Sequence, residues 1–444
     1  MSKFRPVLLS VTCATTLALT ACGQKEEQVT DEAQSLLSMV PSDTPYLAAN
    51  LAPPPNAVID TYLARWEPVA TEIQNQLSKA KSGLESSTDT TPGSDPGERL
   101  LLALLEELDG KFNRAGLESM GLDLQSNRVL YGMGAFPVFR IGLKNPAALR
   151  ATVQRVMGNA GMEAPELEHQ GVKYWRLADD NQQTNSHHDV PAGAYIAILP
   201  DHLAMSVFPL DSEADLLPTF LGLQKPASSD ALERLTALNE KYDYTPHGSG
   251  YLDLHKMAER FMNPETPLAR TLAAAGEFDA ATLSEQCKTE IHGIIDNAPV
   301  MYAGVTELSE NALAYQYRIQ HPAPLAGQLQ ELVSDIPAAR MVTDRVLEFA
   351  FGIRVGAAKE LVREKVTAIV NAPYQCEHLQ DLNRSAQEAL VNLDQPMPPF
   401  INNFRGFRLS LADIMIGPST SLPYNAEGHM AVHVEQPQMF VGMA

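Results

Sequence analysis

Apolar and polar residues alternate along several stretches of this chain, and two of these stretches run into a proline followed by a helical pattern. Phe139, Ile141 and Leu143 alternate with polar or small residues, as do Tyr315, Tyr317 and Ile319. Each set predicts a strand with one buried face. Pro146 and Pro322 then break the strands and open helices, where a fixed φ is tolerated. Apolar residues recur at three- and four-residue spacing behind both prolines.

The two passages align with each other. Pro146 falls on Pro322, an offset of 176 residues, and Leu149, Val153, Gln154 and Val156 then fall on Leu325, Leu329, Gln330 and Leu332. Gly171 to Asp179 resembles Gly406 to Asp413 more weakly. Each is followed by a strand pair around a turn: Ala194 to Leu199 with His202 to Phe208 about Pro200-Asp201, and Gly428 to Val434 with Met439 to Met443 about Glu435 to Gln438. Strand-to-helix passages at Pro45 to Leu63 and Gly250 to Met262 open the two halves. Leu347 to Val370 reads as another strand and helix, and Leu100 to Met120 as a leucine-dense helical region. Hairpins alternating with helices predict an α+β fold of antiparallel sheets with helices on one face, built as two diverged copies of one unit.

On this reading residues 1–21 are a leader and 22–33 a polar tether. Residues 34–235 form the first copy, with a flexible Ser/Thr/Gly/Asp/Pro loop at 82–97, and 236–444 form the second. The second copy ends at Met443-Ala444 while the alternation is still running. That predicts either an edge strand or a truncated sequence.

The leader carries the sharpest local signal. Lys3 and Arg5 precede a softened apolar stretch from Val7 to Leu19, and Leu19-Thr20-Ala21-Cys22 closes it. This resembles a bacterial lipoprotein signal peptide with its lipobox, which implies cleavage before Cys22 and acylation of that residue. The apolar stretch is short for a spanning helix, which needs about 20 residues. The formal net charge is −21, and losing Lys3 and Arg5 leaves 31 basic against 54 acidic residues, a net of −23. Such an acidic chain is a poor partner for nucleic acid or anionic lipid heads. Gly23, where an Asp would favour inner-membrane retention, implies the periplasmic face of the outer membrane. Its membrane partner would be reached through the acyl anchor.

Cys13 leaves with the leader and Cys22 is acylated, so Cys287 and Cys376 remain as one possible pair. In an oxidising compartment the expectation is a disulfide, with free thiols or half a metal site as rivals.

Val40 to Pro45 (VPSDTP), Tyr131 to Arg140 (YGMGAFPVFR) and Tyr174 to Arg176 (YWR), taken with the lipobox and the repeat, are similar to a group of uncharacterised proteobacterial envelope lipoproteins. The resemblance covers most of the chain and implies no activity and no functional residues.

Tests for chemistry return little. Ser78 to Lys81 fits S-x-x-K but lacks the S-D-N and K-T-G partners, since Lys288-Thr289 runs into Glu290. Ser249 sits in HGSG, which reads as a turn before a strand and not as a nucleophile elbow. His187, His188 and Asp189 offer metal-ligand chemistry but read as a solvated loop. His429, His433 and Glu435 share one face of a predicted strand and are the other weak metal candidates. Glu106-Glu107 and Asp179-Asp180 read as solvated faces. Gly132-Met133-Gly134 is no nucleotide loop, and the 16 Met residues are scattered as core fillers. No catalytic residue and no cofactor is expected. The leading reading is a non-enzymatic envelope lipoprotein that binds a partner protein or holds an apolar ligand between sheet and helices. An envelope hydrolase acting on peptidoglycan or lipid, and a structural spacer, are the alternatives.

Overall fold

The computed structural model describes residues 29–65, 67–68, 96–162, 165–177, 192–276, 278–336, 347–396, 398–416 and 424–434. Contacts divide the chain into two units, Met1–Ala281 with Val300–Ile319 and Thr282–Pro299 with Gln320–Ala444. The fold is α+β, with a large antiparallel sheet in the first unit and a small one in the second.

In the first unit the chain runs through α1 (Asp31–Leu37), β1 (Tyr46–Ala49), helical residues 56–65, α2 (Pro96–Leu108), α3 (Arg114–Ser119), β2 (Arg128–Met133), β3 (Phe136–Gly142) and α4 (Pro146–Asn159). It continues through β4 (Leu167–His169), β5 (Val172–Leu177), β6 (Ala192–Ile198), β7 (His202–Pro209), α5 (Glu213–Phe220) and α6 (Ala231–Tyr242). Then come β8 (Ser249–Asp253), α7 (Leu254–Met262), α8 (Pro267–Ala274), β9 (Val300–Leu308) and β10 (Leu313–Ile319). Short polar side chains start the helices. Thr30 accepts from the Ala33 amide, Asn145 from Ala148 just ahead of Pro146, Asp253 from Lys256 and Thr266 from Ala269. Each satisfies an amide that the first helical turn leaves open.

All ten strands join one sheet in the order β10-β9-β8-β1-β2-β3-β7-β6-β5-β4. The strands that open the two sequence repeats, β1 and β8, pair with each other antiparallel. Each repeat then adds its hairpin outward, β2 and β3 on one side, β9 and β10 on the other. The boundary expected from the sequence near residue 235 is not a boundary of the sheet, which runs straight across it.

One face of this sheet is the main core. Leu47, Val129, Tyr131, Val138, Tyr195, Ala204 and Phe208 point into it and pack against Leu36 and Leu37 of α1, Leu217 and Phe220 of α5, and Leu235 of α6. The Tyr195 and Phe208 rings stack at 3.8 Å, and Phe220 meets both edge-on. On the opposite face, α4 covers the β3–β7–β6–β5 region. There Leu149 and Met157 meet Trp175, Leu203 and, at the margin, Ile141 and Leu143.

The helical region expected over 100–120 is two helices, because Gly110 takes φ +65° after Asp109 and the helix restarts behind the Asn113 cap. Two other expectations need correction. In β3 both faces are used. Val138 and Arg140 face the main core, and Phe139, Ile141 and Leu143, read as the buried set, are only half-buried on the other side. In β10 the apolar set is the open one, with Tyr315 at 56% and Tyr317 at 73% exposure.

The second unit holds α9 (Glu285–Ile295), α10 (Ala323–Leu332), β11 (Leu347–Gly352), α11 (Val355–Asn371), α12 (Gln380–Leu393), a short helix (Pro399–Asn402), β12 (Phe404–Ile416) and β13 (Tyr424–Val434). Its sheet is β11-β12-β13, antiparallel throughout. Cys287 in α9 and Cys376 ahead of α12 are disulfide-bonded, with Cα atoms 4.6 Å apart. Glu290 braces the same corner, accepting from the backbone amides of Gln375 and Cys376 at 2.9–3.1 Å. Gln328 of α10 donates to Glu364 of α11 at 2.9 Å. Phe349, Phe351, Phe404 and Phe407 form a chain of ring contacts at 5.7–6.4 Å.

Candidate functional site

Among the described residues no helix covers the large sheet where its two halves meet, and the residues there build a trough. Across the strands runs one register row: Phe139, Leu130, Ala48, Gly250, Ala303, Tyr317. Large side chains stand at both ends and three small ones lie in the middle. The small residues on β1, β8 and β9 are the floor. Leu130 and Phe139 form one wall, and Tyr315 and Tyr317 the other. Along the strands, the next row is Tyr46, Leu252 and Met301, which closes one end with bulk. The other end is polar, with Asn50, Pro54, Arg128 and His247 on its rim. The cavity measures about 540 Å³, within the roughly 300–1,000 Å³ usual for small-molecule sites. Among the described residues, every wall comes from a strand or loop and none from a helix. The trough thus lies on the sheet face away from α1, α5 and α6, and not between sheet and helices.

Gly250 is required by close approach. A Cβ there would lie 2.3 Å from the Leu47 carbonyl oxygen and 2.9 Å from the Ala48 Cα. The absence of that carbon keeps the floor low and lets β1 and β8 pair.

The trough's electrostatics are simple. No Asp or Glu is among its described lining residues, and Arg128 is the one Lys or Arg. Arg128 shares the trough face with Leu130, two residues on. Its guanidinium reaches the Leu124 carbonyl at 3.5 Å, and burial pulls its pKa below the usual value, partly offset by nearby Asp123. Burial also pushes the Tyr46 phenol up to about 12; it donates to the Ala135 carbonyl at 3.1 Å. Such a phenol stays neutral and is no proton shuttle near pH 7.

A second polar cluster lies in the main core beyond the trough. Arg140 is wholly buried, and its Nη1 donates to His202 Nε2 at 2.8 Å, its Nε to the Tyr131 hydroxyl at 3.2 Å and its Nη2 to the Phe220 carbonyl at 2.8 Å. A guanidinium can only donate, so Nε2 must accept. The His202 proton therefore sits on Nδ1 and is donated to Asp201 at 2.7 Å. Closed on all sides, the cluster holds β3, β7 and the end of α5 together. Elsewhere, Glu107 of α2 pairs with Lys111 and Arg155, whose hydrogen bonds hold its carboxyl down to about 2. It is buried, not part of the solvated face expected from Glu106-Glu107.

The remaining sequence candidates do not converge. Ser249 begins β8, and its Oγ is buried without a hydrogen-bond partner. His429 and His433 lie four residues apart on β13, opposite Ser410 and Gly406. An extended strand separates such positions by about 13 Å, a poor fit to one ion. Glu435, His187, His188, Asp189, Asp179-Asp180, the Ser78–Lys81 motif and Cys22 lie outside the described residues, as do Met439 to Met443. No group of three or more potential metal ligands occurs among the described residues, and among them no helix is long and apolar enough to cross a membrane. The trough was missed in the sequence because its floor comes from three strands that only the fold brings side by side. The one available signal was the apolar alternation of Tyr315, Tyr317 and Ile319.

No family model and no curated protein matches the sequence. Among solved structures, one titled "Structure of crystal form I of TP0453" is similar at 10% identity and a TM-score of 0.27, the match covering 68% of this chain and 88% of that one.

Proposed function

We propose that this chain is a non-enzymatic lipoprotein of the cell envelope, anchored through Cys22 at the periplasmic face of the outer membrane, that holds an apolar ligand on the open face of its large sheet. The observation that carries the reading is the trough. It is a blind apolar depression with one polar end and no acid–base pair among its described lining residues.

The chain enters the fold beside the polar rim. Thr30, the second described residue, donates its amide to the Leu51 carbonyl at 3.2 Å and its hydroxyl to Asn127. Leu51 adjoins Asn50 and Asn127 adjoins Arg128, both on the polar rim. Seven residues separate Cys22 from Thr30, and the eight Cα–Cα steps between them reach at most about 28 Å. An acylated Cys22 would thus keep the polar end close to a bilayer. A partner protein is the second reading, favoured by the Phe349 and Phe351 rings, exposed by 55% and 39%. Envelope fractionation of cells expressing the chain tests the anchor. The native chain is expected in the membrane pellet and Cys22→Ala in the soluble fraction as an unprocessed or unanchored form. Unchanged processing and fractionation in Cys22→Ala would overturn the anchor.

A further inference from the structure

The trough's two ends differ chemically, and that difference selects a ligand class. We infer that it holds a long-chain fatty acid, carboxylate on Arg128 and tail lying over Ala48, Gly250 and Ala303 towards Tyr46 and Leu252. The inference rests on the reading of the trough as an apolar-ligand site and names what fills it.

Charge is the first argument. The chain carries 54 acidic residues, yet none is among the described residues that line this depression, and a single guanidinium stands at its open end. The rim therefore offers an anion a cation, with Asp123 near Arg128 but outside the described lining. Arg128 makes one side-chain hydrogen bond among the described residues, at 3.5 Å. Its remaining donors are available for the two parallel bonds that a guanidinium makes to a carboxylate. A single fork suits one carboxylate, and the walls offer little for a sugar or peptide headgroup.

Shape is the second argument. Along β1, the distance from the level of Asn50 to that of Tyr46 is four residues, about 13 Å, so a long tail would lie folded back within the cavity of about 540 Å³. Between those levels the floor is the row Ala48, Gly250 and Ala303, side by side on three strands with nothing larger than a methyl, and the far end is closed by Tyr46, Leu252 and Met301. A neutral hydrocarbon would fill such a space equally well. Only an amphiphile with an anionic head uses both ends.

The test uses the full chain in its unacylated Cys22→Ala form, so that no anchor of its own competes. Fluorescence titration with cis-parinaric acid, an 18-carbon polyene carboxylate, reports occupancy, and palmitate and hexadecanol serve as competitors. Saturable one-to-one binding is expected, with palmitate displacing the probe about tenfold better than hexadecanol. Arg128→Gln is expected to erase that preference by weakening palmitate about tenfold while leaving hexadecanol unchanged. Ala303→Trp is expected to abolish binding of both; if it does not fold, Ala48→Leu takes its place. Equal displacement by palmitate and hexadecanol in the native chain would overturn the fatty-acid assignment and leave the apolar site standing. Absence of saturable binding by either would overturn the site itself.

Discussion

Ala48 and Gly250 lie opposite one another on the antiparallel pair of β1 and β8, the two strands that open the sequence repeats. Their smallness sets the depth of the trough, because Leu130 rises on one side of the pair and Tyr317 on the other. The same pairing joins the hairpins of both repeats into one sheet.

Substituting Gly250 tests this pairing. A new Cβ would meet the backbone of Leu47 and Ala48, which cannot step aside as a side-chain tip could. Gly250→Val is expected to lower stability by about 1–3 kcal/mol, the usual cost of overpacking. The urea midpoint measures this, and an unchanged midpoint would mean the strands are not paired in this register.

The core cluster around His202 makes stability depend on pH. Burial, and next the charge of Arg140, hold the His202 pKa below its ordinary value. The unfolded imidazole titrates near about 6.5. Between the folded value and about 6.5, the unfolded chain takes up a proton that the folded chain refuses. Stability therefore rises with pH through that window and falls as the solution is acidified through it. His202→Gln keeps an acceptor for Arg140 and cannot titrate, so its urea midpoint is expected to fall less steeply below pH 6.5 than that of the native chain. Parallel profiles would show that His202 contributes nothing to the acid response.

How much of this was legible in the sequence depends on the kind of signal. Pro146 announced α4, and the Pro200-Asp201 turn announced the β6–β7 hairpin, because proline acts locally. Cys287 and Cys376 were the only pair left to join, and they are joined. Alternation was less faithful. It marks an apolar face without saying what covers it, so Tyr317 was read as buried although it stands 73% exposed. Arg140 looked like the polar side of a strand and is wholly buried, because three neutral acceptors from distant segments converge on it. The trough was hidden for the same reason. Ala48, Gly250 and Ala303 are unremarkable singly, and only strand order makes them one floor.

The disulfide should matter most within its own unit. It closes a loop across 89 residues, worth about 4 kcal/mol by loop-closure entropy. Both cysteines are buried, so slow reduction is expected under native conditions. Cys376→Ser is expected to lose hydrogen-exchange protection in residues 285–295 and 380–393, where the bond and the Glu290 brace meet. Unaltered protection there would show that the bond adds nothing to local stability.

The most direct measurement is a native mass spectrum of the chain exported to the periplasm and purified without detergent as the Cys22→Ala form. The trough as an apolar-ligand site predicts a discrete added mass of lipid size, which disappears in an Ala303→Trp variant that retains its fold. A bare protein mass in both, including after incubation with palmitate, would contradict it.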